Sequence, residues 1–146
     1  MTTEIRELKR EEFFLAEKLW EQYRGQKADP VHERIFGVFV DGELAATARH
    51  TKHPDGVEMD CVFVPEPDCG KGYARDAVEE LIKHSGPEPI YIHSTLVLIS
   101  FYKTLGFSPI PEDQLPQSIK ERFAFCFGEM LGCNVCPRVR TGEAVR

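Results

Sequence analysis

The stretch from Val62 to Arg75 combines residue types that could bind an anion. The apolar run Val62-Phe63-Val64 ends at Pro65, and the segment Cys69-Gly70-Lys71-Gly72-Tyr73-Ala74-Arg75 then leads into a helical pattern. The first turn of a helix presents N–H groups and the positive end of its dipole, and glycine lets the backbone approach a ligand closely. This pattern predicts a phosphate or pyrophosphate site, to which the basic side chains add positive charge. The alternative is a strand-to-helix turn in which glycine merely permits a tight bend.

Two other phosphate-binding motifs are excluded here. The segment lacks the Gly-Lys-Ser/Thr ending of a P-loop after four intervening residues. It also supplies only Gly70 and Gly72, and the strands before it read as antiparallel, so it is not the dinucleotide motif Gly-x-Gly-x-x-Gly.

The segments around this loop alternate between strand and helix patterns. Apolar runs and turn residues predict strands at Ile5–Leu8, Ile35–Val40, Leu44–Ala48, Val57–Val64, Ile90–His93, Phe107–Ile110 and Arg122–Phe127. Helical spacing predicts helices at Glu11–Tyr23, Gly72–His84 and Leu98–Leu105. The order predicts an α/β (α+β) fold, a mixed sheet with helices on its faces. Pro137–Arg146 lacks periodicity and is expected to be a loose tail, which leaves residues 1–136 as a single domain.

Two segments together resemble motifs of the GNAT superfamily of acyl-CoA-dependent N-acyltransferases. The family's pyrophosphate motif is Gln/Arg-x-x-Gly-x-Gly/Ala; Gly72 and Ala74 match it, and Cys69 stands where Gln or Arg is usual. The run Phe101-Tyr102-Lys103-Thr104-Leu105-Gly106-Phe107 is similar throughout to the family's aromatic-Tyr-x-x-x-Gly-Phe helix ending. The resemblance covers roughly Ile5–Phe127.

The resemblance implies a GNAT-like, mostly antiparallel sheet in which the central strand and the next one splay apart, with acetyl-CoA as co-substrate between them. The pantetheine would pair with the backbone of Val62, Phe63 and Val64. The pyrophosphate would lie on Gly70, Lys71, Gly72, Tyr73, Ala74 and Arg75. The departure at Cys69 removes one side-chain contact and leaves the backbone cradle. Cys69 itself is either a reactive thiol or a small residue in a tight loop.

The resemblance also implies a general acid at Tyr102. A phenol has a pKa near about 10 and a thiol near about 8.5, so a tyrosine can protonate a departing thiolate. A backbone N–H on the central strand would bind the thioester carbonyl oxygen. The alternative is that Tyr102 is a core aromatic, because it also fits the apolar face of its helix.

The general base has three candidates. In some family members the central strand carries a base glutamate at a position comparable with Glu58. Asp60 shares the face of Glu58 by the strand period of two, and His93 ends the strand beside the splay. Each could deprotonate an ammonium directly or through water. The alternatives are solvated carboxylates near a hairpin end and a histidine satisfied within a loop.

Cysteines near the C-terminus raise the question of a metal or redox site. Cys133 and Cys136 form a Cys-x-x-Cys pair, and Cys126 precedes them. Three thiols fall short of the four ligands that zinc needs unless a histidine or a second chain contributes, and a redox pair is another option. We expect free cysteines and no metal, in keeping with a reducing cytosol.

Composition excludes several classes of protein. The 146 residues, 42% of them hydrophobic, suit one globular domain. The 18 basic and 24 acidic residues give a net charge of −6, which argues against nucleic-acid binding. No apolar run approaches the roughly 20 residues that span a bilayer, and no signal segment is visible. The sequence predicts a cytoplasmic protein with no membrane partner.

These observations predict an N-acyltransferase that moves an acetyl group from acetyl-CoA to a primary amine by direct attack. The acceptor would be a small-molecule or peptide amine, and a homodimer is left open. The alternative is a non-catalytic CoA-binding module, or a Cys-x-x-Cys metal- or redox-sensing module, on the same fold.

Overall fold

The computed structural model describes residues 2–22, 25–95, 98–121 and 135–141. In chain order these form β1 (Thr3–Glu7), α1 (Phe13–Trp20), β2 (Glu33–Val40), β3 (Glu43–His53), β4 (Gly56–Phe63), α2 (Tyr73–Ser85), β5 (Ile90–Thr95), α3 (Ile99–Thr104), β6 (Ser108–Pro109) and β7 (Val135–Arg140). Short 3₁₀ turns occupy Arg10–Glu12, Glu66–Asp68 and Glu112–Gln114, and residues 117–121 are helical. Strands and helices alternate as the sequence predicts. None of the helices in the described part of the chain has the length and hydropathy to cross a membrane.

The strands follow the order β1-β2-β3-β4-β5-β7-β6. The β1–β2, β2–β3, β5–β7 and β6–β7 pairs are antiparallel, whereas β4 and β5 run parallel. Within the described residues the parallel ladder joins Val57 to Ile90 and Glu58 to Tyr91 and does not continue along β4. A mostly antiparallel sheet with helices confirms the predicted fold class.

The chain divides into two compact units. The first comprises Met1–Thr51 and Met59–Ser85, and the second comprises Lys52–Glu58 and Gly86–Arg146. In the first unit α2 packs on β1 and β2, and β2 is buried along most of its length because apolar residues occupy both of its faces. The second unit has buried Ile90, Ile92, Phe107 and Ile119 at its core.

Helix α1 buries one apolar face in the first unit. Phe13, Ala16 and Trp20 recur at the three- and four-residue spacing of one helix face. They form a buried cluster with residues of β2 that include Ile35 and Phe39. Trp20 is fully buried, so α1 places an indole N–H inside the core.

The C-terminal strand differs from the prediction. The last strand was expected at Arg122–Phe127, which lies outside the described residues, and Pro137–Arg146 was expected to be a tail. Residues 137–140 instead belong to β7, which pairs with β5 and β6. The predicted domain boundary at residue 136 therefore falls inside a strand. Backbone pairing and arginine donors hold β7: Arg138 Nη1 donates to the Phe107 carbonyl at 3.4 Å and Arg140 Nε to the Leu105 carbonyl at 3.1 Å.

Candidate active site

The loop before α2 has the backbone conformation that a phosphate cradle needs. Gly70 and Gly72 both have φ of +83°, a region that residues with a Cβ rarely adopt. A Cβ built on either glycine would meet nothing within 4 Å. Glycine is therefore required by the conformation and not by crowding, and the space above the loop is open among the described residues.

The first turn of α2 adds the donors. The Asp76 N–H donates to the Gly72 carbonyl at 3.1 Å, which is the first bond of the helical ladder. The N–H groups of Tyr73, Ala74 and Arg75 come before this bond and lie at the positive end of a 13-residue helix. An open glycine turn in front of these donors fits a diphosphate group.

Both predicted cations at this loop have acidic neighbours. Lys71 Nζ lies 3.6 Å from Asp68 Oδ1, and Arg75 Nε lies 2.8 Å from Glu79 Oε1. All four side chains are at least partly exposed, and pairs of this kind contribute little to stability. Lys71 and Arg75 can therefore turn toward an anion at small cost.

Cys69 contacts the end of the preceding strand segment. Its exposed thiol lies 3.6 Å from the carbonyl oxygens of Val64 and Pro65. The thiol is accessible while it contacts the loop backbone, which is compatible with both interpretations of Cys69. Cys126 and Cys133 lie outside the described residues.

Strand β4 contains a strained residue that the sequence pattern does not reveal. Cys61 has φ of +47°, a conformation that costs about 1–3 kcal/mol for a residue with a Cβ. Its carbonyl accepts a hydrogen bond from Thr47 Oγ1 at 2.8 Å, and Thr47 Oγ1 accepts one from Trp20 Nε1 at 3.0 Å. The sequence predicts Trp20 only as part of a helix and Thr47 only as part of a strand. The feature of the sequence that could have indicated this contact is the presence of a threonine among the apolar residues of a strand.

Asp60 is bound to a buried cation. Its carboxylate oxygens accept hydrogen bonds from Arg49 Nε at 2.7 Å and Nη2 at 2.6 Å. Burial opposes the charge on Arg49, whose side chain is 4% exposed, but the hydrogen bonds and attraction from Asp60 outweigh it and raise the pKa of Arg49. The neighbouring Glu33 is also partly buried, and this burial raises the pKa of its carboxyl. Because the Asp60 carboxylate is bound to Arg49, Asp60 is a weaker candidate for the general base.

Glu58 is a fully buried carboxylate with a histidine partner. Its Oε1 lies 2.9 Å from Nε2 of His53, whose side chain is 13% exposed. The solvated alternative therefore does not describe Glu58. His53 was not predicted as a site residue, although it and Glu58 flank the Pro54–Asp55 turn that brings them together. His93, the third candidate, is half-buried and stands opposite Pro137 in the ladder.

Tyr102 lies in a helix ending that explains its motif. The Gly106 N–H donates to the Lys103 carbonyl and the Phe107 N–H to the Tyr102 carbonyl, both at 3.1 Å, and Gly106 has φ of +93°. These are the bonds of a Schellman motif, which places an apolar contact between the third-last helical residue and the residue after glycine. The rings of Tyr102 and Phe107 make that contact edge to face at 5.7 Å. The spacing Tyr-x-x-x-Gly-Phe thus satisfies a structural need by itself.

The fold and the loop together define an α/β protein with an open glycine turn where a strand leads into a helix. Residues 2–107 match the profile of the Acetyltransferase (GNAT) family. Because the match covers more than half of the chain, the protein belongs to this family of acetyltransferase enzymes. No curated protein matched the sequence.

Solved structures with low sequence identity share the fold. N-acetylglutamate synthase from Neisseria gonorrhoeae, complexed with coenzyme A and N-acetyl-glutamate, is similar with a TM-score of 0.75 and 17% identity over 99% of this chain and 36% of that one. The chain thus spans about a third of that synthase. The ribosomal-protein-S18-alanine N-acetyltransferase from Escherichia coli gives a TM-score of 0.70 and 13% identity over 99% and 97% of the two chains. Escherichia coli ElaA gives 0.68 and 16% over 95% and 99%.

Proposed function

We propose that the protein is an N-acyltransferase that moves an acetyl group from acetyl-CoA to a primary amine. The observation that carries the proposal is the glycine turn at Gly70 and Gly72, open above its backbone and followed by the N-terminus of α2, in a chain of the GNAT family. The pyrophosphate would lie on this turn and the first residues of the helix, Gly70, Lys71, Gly72, Tyr73, Ala74 and Arg75.

Strand β4 would bind the pantetheine arm. Val62, Phe63 and Val64 lie beyond the short ladder that joins β4 to β5 at Val57 and Glu58. A strand edge that leaves its ladder can bind the amides of an extended ligand. This supports the backbone of residues 62–64 as the pantetheine site.

Acetyl-CoA would supply an acyl group activated as a thioester. The amine nitrogen forms a bond to the carbonyl carbon, the carbon–sulfur bond breaks, and an N–H of β4 binds the carbonyl oxygen as its negative charge develops. The Tyr102 hydroxyl would protonate the departing thiolate, and Glu58 would take the proton of the amine. Burial of Glu58 beside His53 supports a proton path in which the partly exposed imidazole lies between the carboxylate and solvent.

The acceptor is proposed by chemical class. One similar structure is a synthase of N-acetylglutamate and another is an N-acetyltransferase for an alanine of a ribosomal protein. An amino acid and a protein alanine are both amine acceptors, which supports a small-molecule or peptide amine here.

Calorimetry with acetyl-CoA followed by an amine screen tests the proposal. We expect binding of acetyl-CoA and of CoA by the full chain, and amine-dependent formation of acetylated product detected by mass spectrometry. Binding without turnover against small-molecule and peptide amines would favour the non-catalytic CoA-binding module. An absence of binding would overturn the proposal.

A further inference from the structure

We propose that Thr47 is a positioning residue for acyl transfer: its hydroxyl fixes the Cys61–Val62 peptide and thereby aims the Val62 N–H at the thioester carbonyl oxygen. This inference rests on the proposed acyl-CoA site on β4. It adds a side chain from β3, supported by an indole from α1, to a step that would otherwise be assigned to backbone alone.

The direction of both hydrogen bonds follows from the donors available. An indole N–H can only donate, so Trp20 Nε1, 3.0 Å away, makes Thr47 Oγ1 an acceptor. The single hydroxyl proton of Thr47 is then left for the Cys61 carbonyl, 2.8 Å away. Thr47 is β-branched, which limits its χ1 rotation, and it is fully buried. The indole and the γ-methyl group therefore both restrict where the hydroxyl points.

A fixed carbonyl fixes the next N–H. Every peptide bond that the structure describes is trans, and a planar trans peptide holds its C=O and N–H in opposite directions. Because the Cys61 carbonyl points to Thr47, the Val62 N–H points away from Thr47. The positive φ of Cys61, +47°, marks the place where β4 departs from regular strand geometry. The Thr47 hydroxyl thus holds β4 at Cys61, where the direction of the backbone N–H groups of the strand changes.

A second set of contacts holds β4 at Asp60, the residue before Cys61. The carboxylate of Asp60 is bound twice by Arg49, and the Arg49 guanidinium lies 5.1 Å from the centre of the Trp20 ring. Trp20 therefore contacts the groups that hold Asp60 and Cys61. One buried cluster holds both residues, which is how a strained conformation persists.

The test compares Thr47→Val, Thr47→Ser and Thr51→Val. Valine keeps the shape of threonine and removes the hydroxyl, whereas serine keeps the hydroxyl. Thr51 Oγ1 is buried on the same strand and has no hydrogen-bond partner among the described residues, so Thr51→Val is a matched control for loss of a buried hydroxyl. Each variant is first compared with the parent protein by circular dichroism and Tm.

The free protein tests the positioning claim without any ligand. In the parent protein we expect a slowly exchanging Thr47 hydroxyl proton close to the Trp20 indole proton by NMR, a measurement that needs no variant to fold. Thr47→Val should shift the resonances of the Cys61 carbonyl carbon and the Val62 amide, and Thr51→Val should leave them in place. A rapidly exchanging hydroxyl, or unchanged Cys61 and Val62 resonances in Thr47→Val, would overturn the inference.

The loaded protein tests what the position is for. We expect acetyl-CoA to move the Val62 amide resonance more than CoA does. Thr47→Val should lower kcat by about 10–100-fold, because a displacement of about 1 Å can cost about 10²-fold, whereas complete loss of a carbonyl-binding donor costs about 10²–10³-fold. The acetyl-CoA Kd should stay within about threefold, and Thr47→Ser should keep most of kcat. A loss confined to Kd would overturn the inference. If the parent protein binds no acetyl-CoA, the proposed function fails, while the spectra of the free protein still decide whether Thr47 sets the peptide.

Discussion

His53 Nε2 lies 2.9 Å from Oε1 of Glu58, a carboxylate with no solvent-exposed surface. The two residues flank the turn between β3 and β4, so the hairpin itself brings them together. An ionised carboxylate only accepts hydrogen bonds, so the imidazole N–H donates to Glu58 in that state. The pair gives β4 a buried carboxylate in hydrogen-bond contact with a partly exposed imidazole.

Replacing Glu58 should impair chemistry more than binding. Glu58→Gln keeps the size of the side chain and removes its basicity, and loss of a general base typically lowers kcat by about 10²–10⁴-fold. The acetyl-CoA Kd should change little. Steady-state kinetics with an acceptor from the amine screen, measured across pH, checks this expectation. A kcat equal to that of the parent protein would remove Glu58 from the mechanism.

Replacing Asp60 should impair stability instead. Asp60→Asn takes the carboxylate that accepts two short hydrogen bonds away from the buried Arg49 guanidinium and leaves only Glu33 Oε1, 3.4 Å from Nη1, as its charged partner among the described residues. Breaking a buried ion pair costs about 3 kcal/mol or more; we expect about 3 kcal/mol because Asp60 retains 21% exposure. The control is Glu88→Gln, which removes the exposed pair with Lys52 and should cost less than about 1 kcal/mol. Urea unfolding of both variants measures the difference, and equal losses would show that the Arg49 pair has no special role.

The glycine turn can be tested with a control of matched backbone. Gly72→Asp should abolish acetyl-CoA binding, because a carboxylate would stand where we propose that the pyrophosphate lies. Gly42, in the turn between β2 and β3, has φ of +84° and equally open surroundings, so Gly42→Asp imposes comparable strain away from the loop. Calorimetry should show binding retained in Gly42→Asp. Unchanged affinity in a folded Gly72→Asp protein would refute the phosphate cradle.

The variant Tyr102→Phe distinguishes between two roles of Tyr102, general acid and core aromatic residue. The ring contact with Phe107 at 5.7 Å is kept, so Tm should change little. If the hydroxyl protonates the thiolate, kcat should fall by about 10²–10⁴-fold at similar acetyl-CoA Kd. Tyr91→Phe, which alters a half-buried tyrosine packed on Leu115 and Ile119, should leave kcat unchanged. A Tyr102→Phe enzyme as fast as the parent would leave the residue its packing role alone.

One ion pair makes stability depend on acid pH. Two hydrogen bonds of 2.8 Å from Arg6 to the Glu12 carboxylate lower the pKa of Glu12 from 4.5 to about 2. A lowered pKa stabilises the folded state above pH 4.5, and this contribution is lost as the pH falls from 4.5 toward 2. The difference in unfolding free energy between the parent and Glu12→Gln should therefore shrink over that window. Glu11→Gln, at an exposed neighbouring position, should show no such change.

Local patterns in the sequence determined the order of strands and helices along the chain and the presence of a glycine turn before α2. Apolar spacing of two or of three to four residues is a property of consecutive residues, so α2, β2, β4 and β5 could be predicted to within about two residues at their ends. Strand β3 was predicted to end at Ala48 but continues to His53. The glycines of the loop and of the α3 ending were also predictable, because each satisfies a local need for positive φ or for a helix cap.

Only the tertiary structure separated the two carboxylates of β4. Glu58 and Asp60 share a strand face and are equivalent by periodicity, yet Asp60 meets Arg49 and Glu58 meets His53. Likewise, no local pattern joins Trp20 and Thr47 to the Cys61 carbonyl, and none places residues 137–140 in a strand. These contacts join residues distant in sequence, so they depend on sheet register and helix packing, which periodicity alone does not specify.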